Sequence, residues 1–385
     1  MTLLDFITAA AAADARATSD GHPVYPIVLD PEYGLCSLHQ SAEEPPNPSL
    51  LVYPVSGFKL SQRDTEIAQS SSKLFNDLSR YLKNANTFDR DEFVGSVVAF
   101  LYEISRVTGC SVVDSSPCKM IGRFGYAMGS DVAVLVVEGC IQLEIWDWLE
   151  ALILNKLVPH FSYGKLIDHL VEKRRSDLIC ECAKNLSDLK AGDILSILRY
   201  FLVPTKDAYP TMGGIRKEWE SRAVNAMEKA VDDSLKEQSL ILAKESSILL
   251  MMAYDDFTDS ELCLHYLFAA TRADELVLTS AISRLNGMEM MALIKYLGKW
   301  LRKYDRFPQV VSCPTSSVNS VWVPKIEDVV ICLGLLIDEH FSTLVLHQEF
   351  HDEIRYLDGL VGSLVLDARL CCSLANVIEN LRNIK

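Results

Sequence analysis

Residues 164–202 read GKLIDHLVEKRRSDLICECAKNLSDLKAGDILSILRYFL. Three blocks stand out: 164–175, 176–186 and 191–202. In each, apolar residues recur three and four apart, as Leu166, Ile167 and Leu170 do in the first. Each block is about three helical turns long. Serine, aspartate and glycine separate them. Helices this short cannot bury their apolar faces alone, and they stack on one another. The stretch therefore predicts a mainly α-helical chain, an elongated, α-solenoid-like array of short helices. No strict repeat signature of a named solenoid accompanies this texture.

Towards the N-terminus the helical spacing continues. TEIAQSSSKLFNDLSRYLKN, from Thr65, places Ile67, Leu74, Leu78, Tyr81 and Leu82 on a helical period. DRDEFVGSVVAFLYEISRVTG begins with acidic residues and ends on Gly109, which are helix start and stop signals. Residues 110–131 break the pattern. GRFGYAMG there has glycines three and four apart, matching neither a dinucleotide fingerprint nor a P-loop, so a connecting loop is expected. In the run beginning DVAVLVVEGC, Val132, Val134 and Val136 alternate as a strand would, although a buried helix is the preferred reading. Trp146-Asp147 matches a propeller dipeptide, but no second blade follows.

Towards the C-terminus, residues 204–216 hold two prolines and Gly213-Gly214, and a loop is expected. Four helical stretches follow up to Phe307. A proline- and serine-rich loop is expected over 308–324. Pro324 suits the first turn of the next helix, with Glu327 and Asp328 near its positive end. Residues 1–62 hold most of the prolines ahead of these helices and form an acidic, extended arm, because proline lacks a backbone donor. The expected organisation is thus an arm (1–62), a first helical region (63–203) and a C-terminal helical domain (215–385).

The totals bound the function. The chain has 385 residues and a net charge of -15, so any nucleic-acid contact must be local. Nearly half the residues are apolar, enough for a large core. Eleven cysteines without a C-x-x-C point to reduced, mostly buried thiols and away from zinc ribbons. The N-terminus lacks the basic region of a signal peptide. No uninterrupted apolar run reaches the length of a membrane span, so no membrane association is expected.

Two constellations carry possible chemistry. LVLHQEFHDE, residues 344–353, sets His347 and His351 four apart, on one face of a helix if the helix is continuous. The zinc-protease pattern needs a glutamate where Gln348 stands, and His340 lies too far back to complete a metal sphere. No metal, catalytic or cofactor residue is therefore assigned. KYLGKWLRKYDRF is the second. Tyr296, Trp300 and Tyr304 recur every fourth residue beside Lys295, Lys299 and Lys303, with Arg302 and Arg306 close by. A basic row beside aromatics can hold a phosphate backbone and stack bases. The same spacing also describes an amphipathic helix whose aromatics face the core while its lysines reach water. EKRR (172–175) and the sequon Asn185-Leu186-Ser187 read as ordinary helix surface.

MEMMALIKYLGKWLRKYDRF leads through the loop to VPKIEDVVICLGLLIDEHFSTLVL. A leucine-rich helix running into Asp338-Glu339-His340-Phe341 and a second apolar run resembles the C-terminal helical domain of the nucleolar protein eleven family. The resemblance covers residues 285–366. In that family the helical region follows a β-propeller, and 385 residues leave little room for one. The resemblance implies a non-enzymatic scaffold supporting ribosomal RNA transcription and pre-ribosomal RNA processing in the small-subunit processome. It implies protein partners in a large nuclear assembly, a nuclear and nucleolar location, and no cofactor. The family-like motif is Leu336, Asp338, His340 and Phe341; Leu333, Leu336 and Phe341 would pack into neighbouring helices, the histidines would mark a rim, and residues 295–306 would offer a local RNA contact. A helical adaptor of another intracellular complex is the alternative. A metal-dependent hydrolase using His347 and His351 is the third reading, from a different class.

Overall fold

The computed structural model describes residues 62–83, 89–110, 116–230, 237–270, 275–308 and 322–383. Nearly all of these are helical, and among the described residues none lies in a strand. The arm expected over 1–62 falls outside the described residues except for Gln62. The chain divides into two units, Met1–Gln69 and Ser70–Lys385. Gln62–Gln69, the described part of the first unit, is the opening of a helix.

That helix, α1 (Gln62–Lys83), buries Ser70, Leu74 and Leu78 on one side. The next, α2 (Arg90–Thr108), starts on Asp89, whose carboxylate accepts the Asp91 N–H. It ends on Gly109 at φ +72°, a left-handed conformation that costs glycine little. The loop expected over 110–131 is instead largely helix. Pro117 opens α3 (Pro117–Phe124) at a position whose N–H would be unpaired anyway. Met120, Ile121 and Phe124 then bury one face, and a 3-10 turn (Gly125–Met128) leads onward. The glycine spacing masked this apolar period. The apolar run after it is helix, in two pieces: α4 (Gly129–Gln142) and α5 (Trp146–Leu154). The strand alternation is not realised, because Val132, Val136, Val137 and Cys140 share a buried face. Glu144, at φ +53°, turns the chain between the two helices.

The three blocks that opened the sequence reading are α6 (Tyr163–Glu172), α7 (Ser176–Asn185) and α8 (Ala191–Leu202). Their apolar positions are fully buried: Leu166, Ile167 and Leu170 are each 0% exposed. Arg174 and Asp188, both at positive φ, make the intervening turns. The loop expected over 204–216 is mostly helix too. A short 3-10 turn (Lys206–Ala208) leads into α9 (Tyr209–Ala230), which runs straight through Gly213-Gly214. Met212, Ile215, Trp219 and Ala223 form its buried face. That burial outweighs a helix cost of about 1 kcal/mol per glycine.

The remaining helices are α10 (Glu237–Tyr254), α11 (Asp259–Ala270), α12 (Glu275–Ile282), α13 (Gly287–Arg306), α14 (Ile326–Leu346) and α15 (His351–Asn383). Helix α13 begins with a reciprocal cap. Asn286 Oδ1 accepts the Glu289 N–H at 3.0 Å, and Glu289 Oε2 accepts the Asn286 N–H at 2.9 Å. Helix α14 is capped by Lys325, so Pro324 stands just before the helix and not in its first turn. Glu327 and Asp328 do lie in that turn.

Helices two apart in the chain pack together: α3 on α5, α5 on α7, α7 on α9; and α4 on α6, α6 on α8. Helix α11 inserts against α7, α8 and α9, and its side chains from Leu262 to Phe268 are all buried. Residues from Ser70 onward form one unit, because α7 and α8 pack on α9, α11, α12 and α13. Arg199 bridges α8 to Glu289 of α13 and donates to the Arg284 carbonyl at 2.6 Å.

Helix α13 is the platform for the C-terminus, with α14 and α15 both packed on it. Tyr304 Oη donates to the Pro324 carbonyl and ties the end of α13 to the start of α14. Gly298 lets α15 come close, since a Cβ there would stand 3.0 Å from Leu357 Cδ2. Gly298→Val should therefore push α15 away and cost about 1–3 kcal/mol of stability. Urea titration measures this; an unchanged midpoint would mean that α15 does not rest on Gly298.

Candidate interaction surface

The basic and aromatic residues of α13 take two different roles. Tyr296 and Trp300 are 0% exposed and Tyr304 is 3% exposed. Their rings face Phe257, His265 and Phe268, not solvent. Burial removes them as a stacking platform for bases. The cations beside them are held by the turn joining α10 to α11 and by the first turn of α11. Lys303 meets Asp255 at 2.7 Å, Arg302 meets Asp256 at 2.7 Å, and Lys299 meets Glu261 at 2.8 Å. Lys303 holds the Asp255 carboxyl below its usual range, chiefly through this hydrogen bond. Lys295 and Arg302 remain at the surface. The amphipathic reading of this helix is thus the one its side chains adopt. Its spacing was legible in the sequence; the acidic partners were not, since they lie more than thirty residues away.

At the centre of this cluster sits His265, wholly buried. Its Nε2 lies 2.9 Å from the Ala253 carbonyl and its Nδ1 lies 2.9 Å from Tyr296 Oη. A carbonyl can only accept, so the neutral ring carries its proton on Nε2, and Nδ1 accepts from the tyrosine hydroxyl. Burial drives its pKa down to about 3. Nothing in the sequence marked His265, because a buried histidine carries no local motif.

The histidine pair does not share a helix face. Helix α14 stops at Leu346, and His347 is its cap with an extended backbone. A 3-10 turn (Gln348–Phe350) follows, and His351 opens α15. HQEFH is therefore a corner, folded around the buried Phe350. His351 Nε2 lies 2.8 Å from the Val345 carbonyl, and His340 Nε2 lies 2.9 Å from the Ile282 carbonyl, so each ring binds backbone. His340 also departs from helical geometry, at φ -114°, and kinks α14. Among the described residues, no three His, Cys, Asp or Glu side chains gather as a metal-holding group. The buried thiols are poor nucleophiles by environment: desolvation raises Cys140, Cys180 and Cys182, and pushes Cys332 up to about 12.

Of the residues carrying the family likeness, Leu333 and Leu336 are buried as expected. Phe341 is not: it is 62% exposed. It lies on the helix side of Val330 and Ile331, away from Leu333 and Leu336, and Asp338 is also exposed. Val330, Ile331, Val345 and Leu346 are exposed on the same helix. Most large apolar side chains left exposed among the described residues lie between Leu276 and Ile378. Such concentrations mark interaction surfaces. Three helical stretches, Pro117–Gln142, Ile326–Leu346 and Gln348–Glu379, are also long and apolar enough to cross a membrane. The uninterrupted-run criterion missed them because polar residues interrupt each one, such as Ser130-Asp131 in the first and Asp338-Glu339-His340 in the second. Half of the first window is buried within the protein, but none of the third is.

One open cleft of about 500 Å³ lies elsewhere, between α1 (Ser71, Ser72, Phe75, Asn76) and the start of α4 (Gly129–Val132). Asp131 stands in the first turn of α4, where its carboxylate meets the positive helix end. An anion would meet that carboxylate, so GRFGYAMG ends in no phosphate cradle. The chain matches no protein-family model and no curated protein sequence.

Proposed function

We propose that this chain is a non-enzymatic helical scaffold that works in ribosome biogenesis, as a protein-binding subunit of the small-subunit processome in the nucleolus. One observation carries the proposal. The stretch resembling the nucleolar protein eleven family, Ile326–Leu346, presents Val330, Ile331, Phe341 and Val345 outward while Leu333 and Leu336 hold it to the body. A helix anchored by one face and bare on the other is built to receive a partner. The alternation of contacts between helices two apart supports an α-solenoid-like array, a form suited to binding several proteins. The local RNA contact of this reading rests on Lys295 and Arg302 and not on the buried aromatics.

Affinity purification from growing cells, with and without RNase, tests this reading. Small-subunit processome proteins should dominate the recovered set and resist RNase. Phe341→Asp with Val345→Asp should lose them by about thirtyfold or more, as removal of a hot spot worth ~2 kcal/mol does. The thermal midpoint should hold, since both side chains are exposed. A cytosolic chain that recovers no processome protein sinks the proposal. Recovery of some other assembly through the same face would establish the adaptor reading instead.

A further inference from the structure

Among the described residues, α15 beyond Leu357 buries no side chain, and only Leu360 and Leu364 are partly covered there. Val361, Val365, Leu366, Leu370, Leu374 and Ile378 are all exposed, between 38% and 62%. The helix nonetheless carries a regular apolar stripe. Leu357, Leu360, Leu364, Asp367, Cys371, Leu374 and Ile378 alternate three and four apart, the spacing of a coiled-coil seam. Its first member, Leu357, is buried over Gly298 of α13. Leu360 and Leu364 are half-covered, and from Asp367 onward the same stripe is exposed. Asp358, Gly362, Arg369, Ser373 and Asn376 form a polar strip on the other side.

We propose that this helix pairs with the same helix of a second copy of the chain, antiparallel, about a twofold axis near Arg369. The charges and the register select this occupant. In that register Leu360 faces Ile378 of the second copy, Leu364 faces Leu374, and Asp367 faces Cys371, each layer being repeated by the twofold. Every layer but one is then apolar against apolar, and Asp367 meets a thiol and not its own carboxylate. A parallel pair would set Asp367 against Asp367. The ends agree with the antiparallel choice. The start of α15 is acidic (Asp352, Glu353 and Asp358 against Arg355), and its last turn carries Arg382. Antiparallel pairing brings Arg382 within about one helical turn of Asp352 and Glu353 of the second copy, and the two helix dipoles oppose. Between those ends Asp367 and Arg369 cancel, so the net charge of -15 does not repel the seam locally. The same two residues weigh against a lipid bilayer, where both would sit near mid-span.

Sedimentation velocity on the full chain, from low to tens of micromolar, reads the outcome. The expected species has twice the 43.0 kDa chain mass. Leu364→Glu with Leu374→Glu should return it to one chain mass with an unchanged thermal midpoint, because the body does not use this segment. Asp367→Cys should gain a disulfide to Cys371 of the second copy under mild oxidation, mapped by mass spectrometry. The wild-type chain should not cross-link through Cys371 alone. A monomer at every concentration overturns the proposal. So does a dimer that survives the double substitution, a wild-type Cys371–Cys371 cross-link, or flotation with neutral lipid vesicles in place of dimerisation.

Discussion

Lowering the pH from 6.5 towards 3 should strip about 5 kcal/mol from the folded state through His265 alone. An unfolded histidine binds its proton near pH 6.5. In the folded protein burial holds the pKa at about 3. Between those values the unfolded chain carries more protons than the native one, so stability rises with pH across the window. The contribution is complete above 6.5 and falls steadily below it. Each pH unit is worth about 1.4 kcal/mol, so about 3 kcal/mol should be gone by pH 4.5. Asp177 and Asp255, held low by Arg175 and Lys303, add a loss of the same sign, but only below the carboxylate range. Glu150, raised by burial and by neighbouring carboxylates, works in the opposite direction just above the ordinary glutamate range. Urea denaturation at several pH values, followed by fluorescence of Trp219 and Trp300, measures the slope. His265→Gln should flatten it between 4.5 and 6.5. A wild-type stability that is level over that range would show that His265 takes up its proton without unfolding.

The loss matters for function because of what His265 joins. Its ring binds the end of α10 through Ala253 and α13 through Tyr296. Protonation would place a second hydrogen on Nδ1, facing a hydroxyl that had been donating to it. The hydroxyl would have to rotate its own hydrogen away and accept instead, which leaves that hydrogen to find a new partner inside the core. Both α14 and α15 rest on α13. The C-terminal surfaces should therefore lose their footing on the same acid titration that unfolds the body.

How much of this was legible in the sequence depends on the range of each signal. Local periodicity gave α6, α7 and α8, and local capping signals placed both ends of α2. The same signals misread 110–131 and 204–216. There glycine and proline were taken as breakers, yet Met120, Ile121 and Phe124 in one stretch and Met212 and Ile215 in the other pay out enough burial to keep a helix. The corner at His347 had no local mark either. It follows from Phe350 and Leu357 docking on α13, a tertiary event. The stripe from Leu357 to Ile378 was present in the sequence throughout. Its significance appears only when the structure shows that Leu357 is covered, Leu360 and Leu364 half-covered, and Asp367 to Ile378 exposed.

Trp300→Ala should cost about 3–5 kcal/mol, the second large effect. The ring is 0% exposed and lies 4.9 Å from His265, 5.0 Å from Phe257 and 5.8 Å from Tyr304. No one of these neighbours can fill an indole-sized void, since each is held by its own contacts. A single unit of this kind is stable by about 5–15 kcal/mol, so the loss should be a large fraction of the total. Lys295→Glu, on the exposed side of the same helix, should change stability by less than about 0.5 kcal/mol. The contrast decides between the two readings of KYLGKWLRKYDRF. A stacking aromatic on an RNA surface would be nearly silent in an unfolding experiment and would act on binding. A core aromatic does the reverse. Trp300→Ala should also open a path for water to His265 and so raise its pKa, which makes the acid slope shallower in the variant. The two substitutions at 265 and 300 should accordingly fall short of additivity, because they share a cavity. A Trp300→Ala chain as stable as wild type, with an unaltered acid slope, would place the ring outside the core and return the aromatics to the surface.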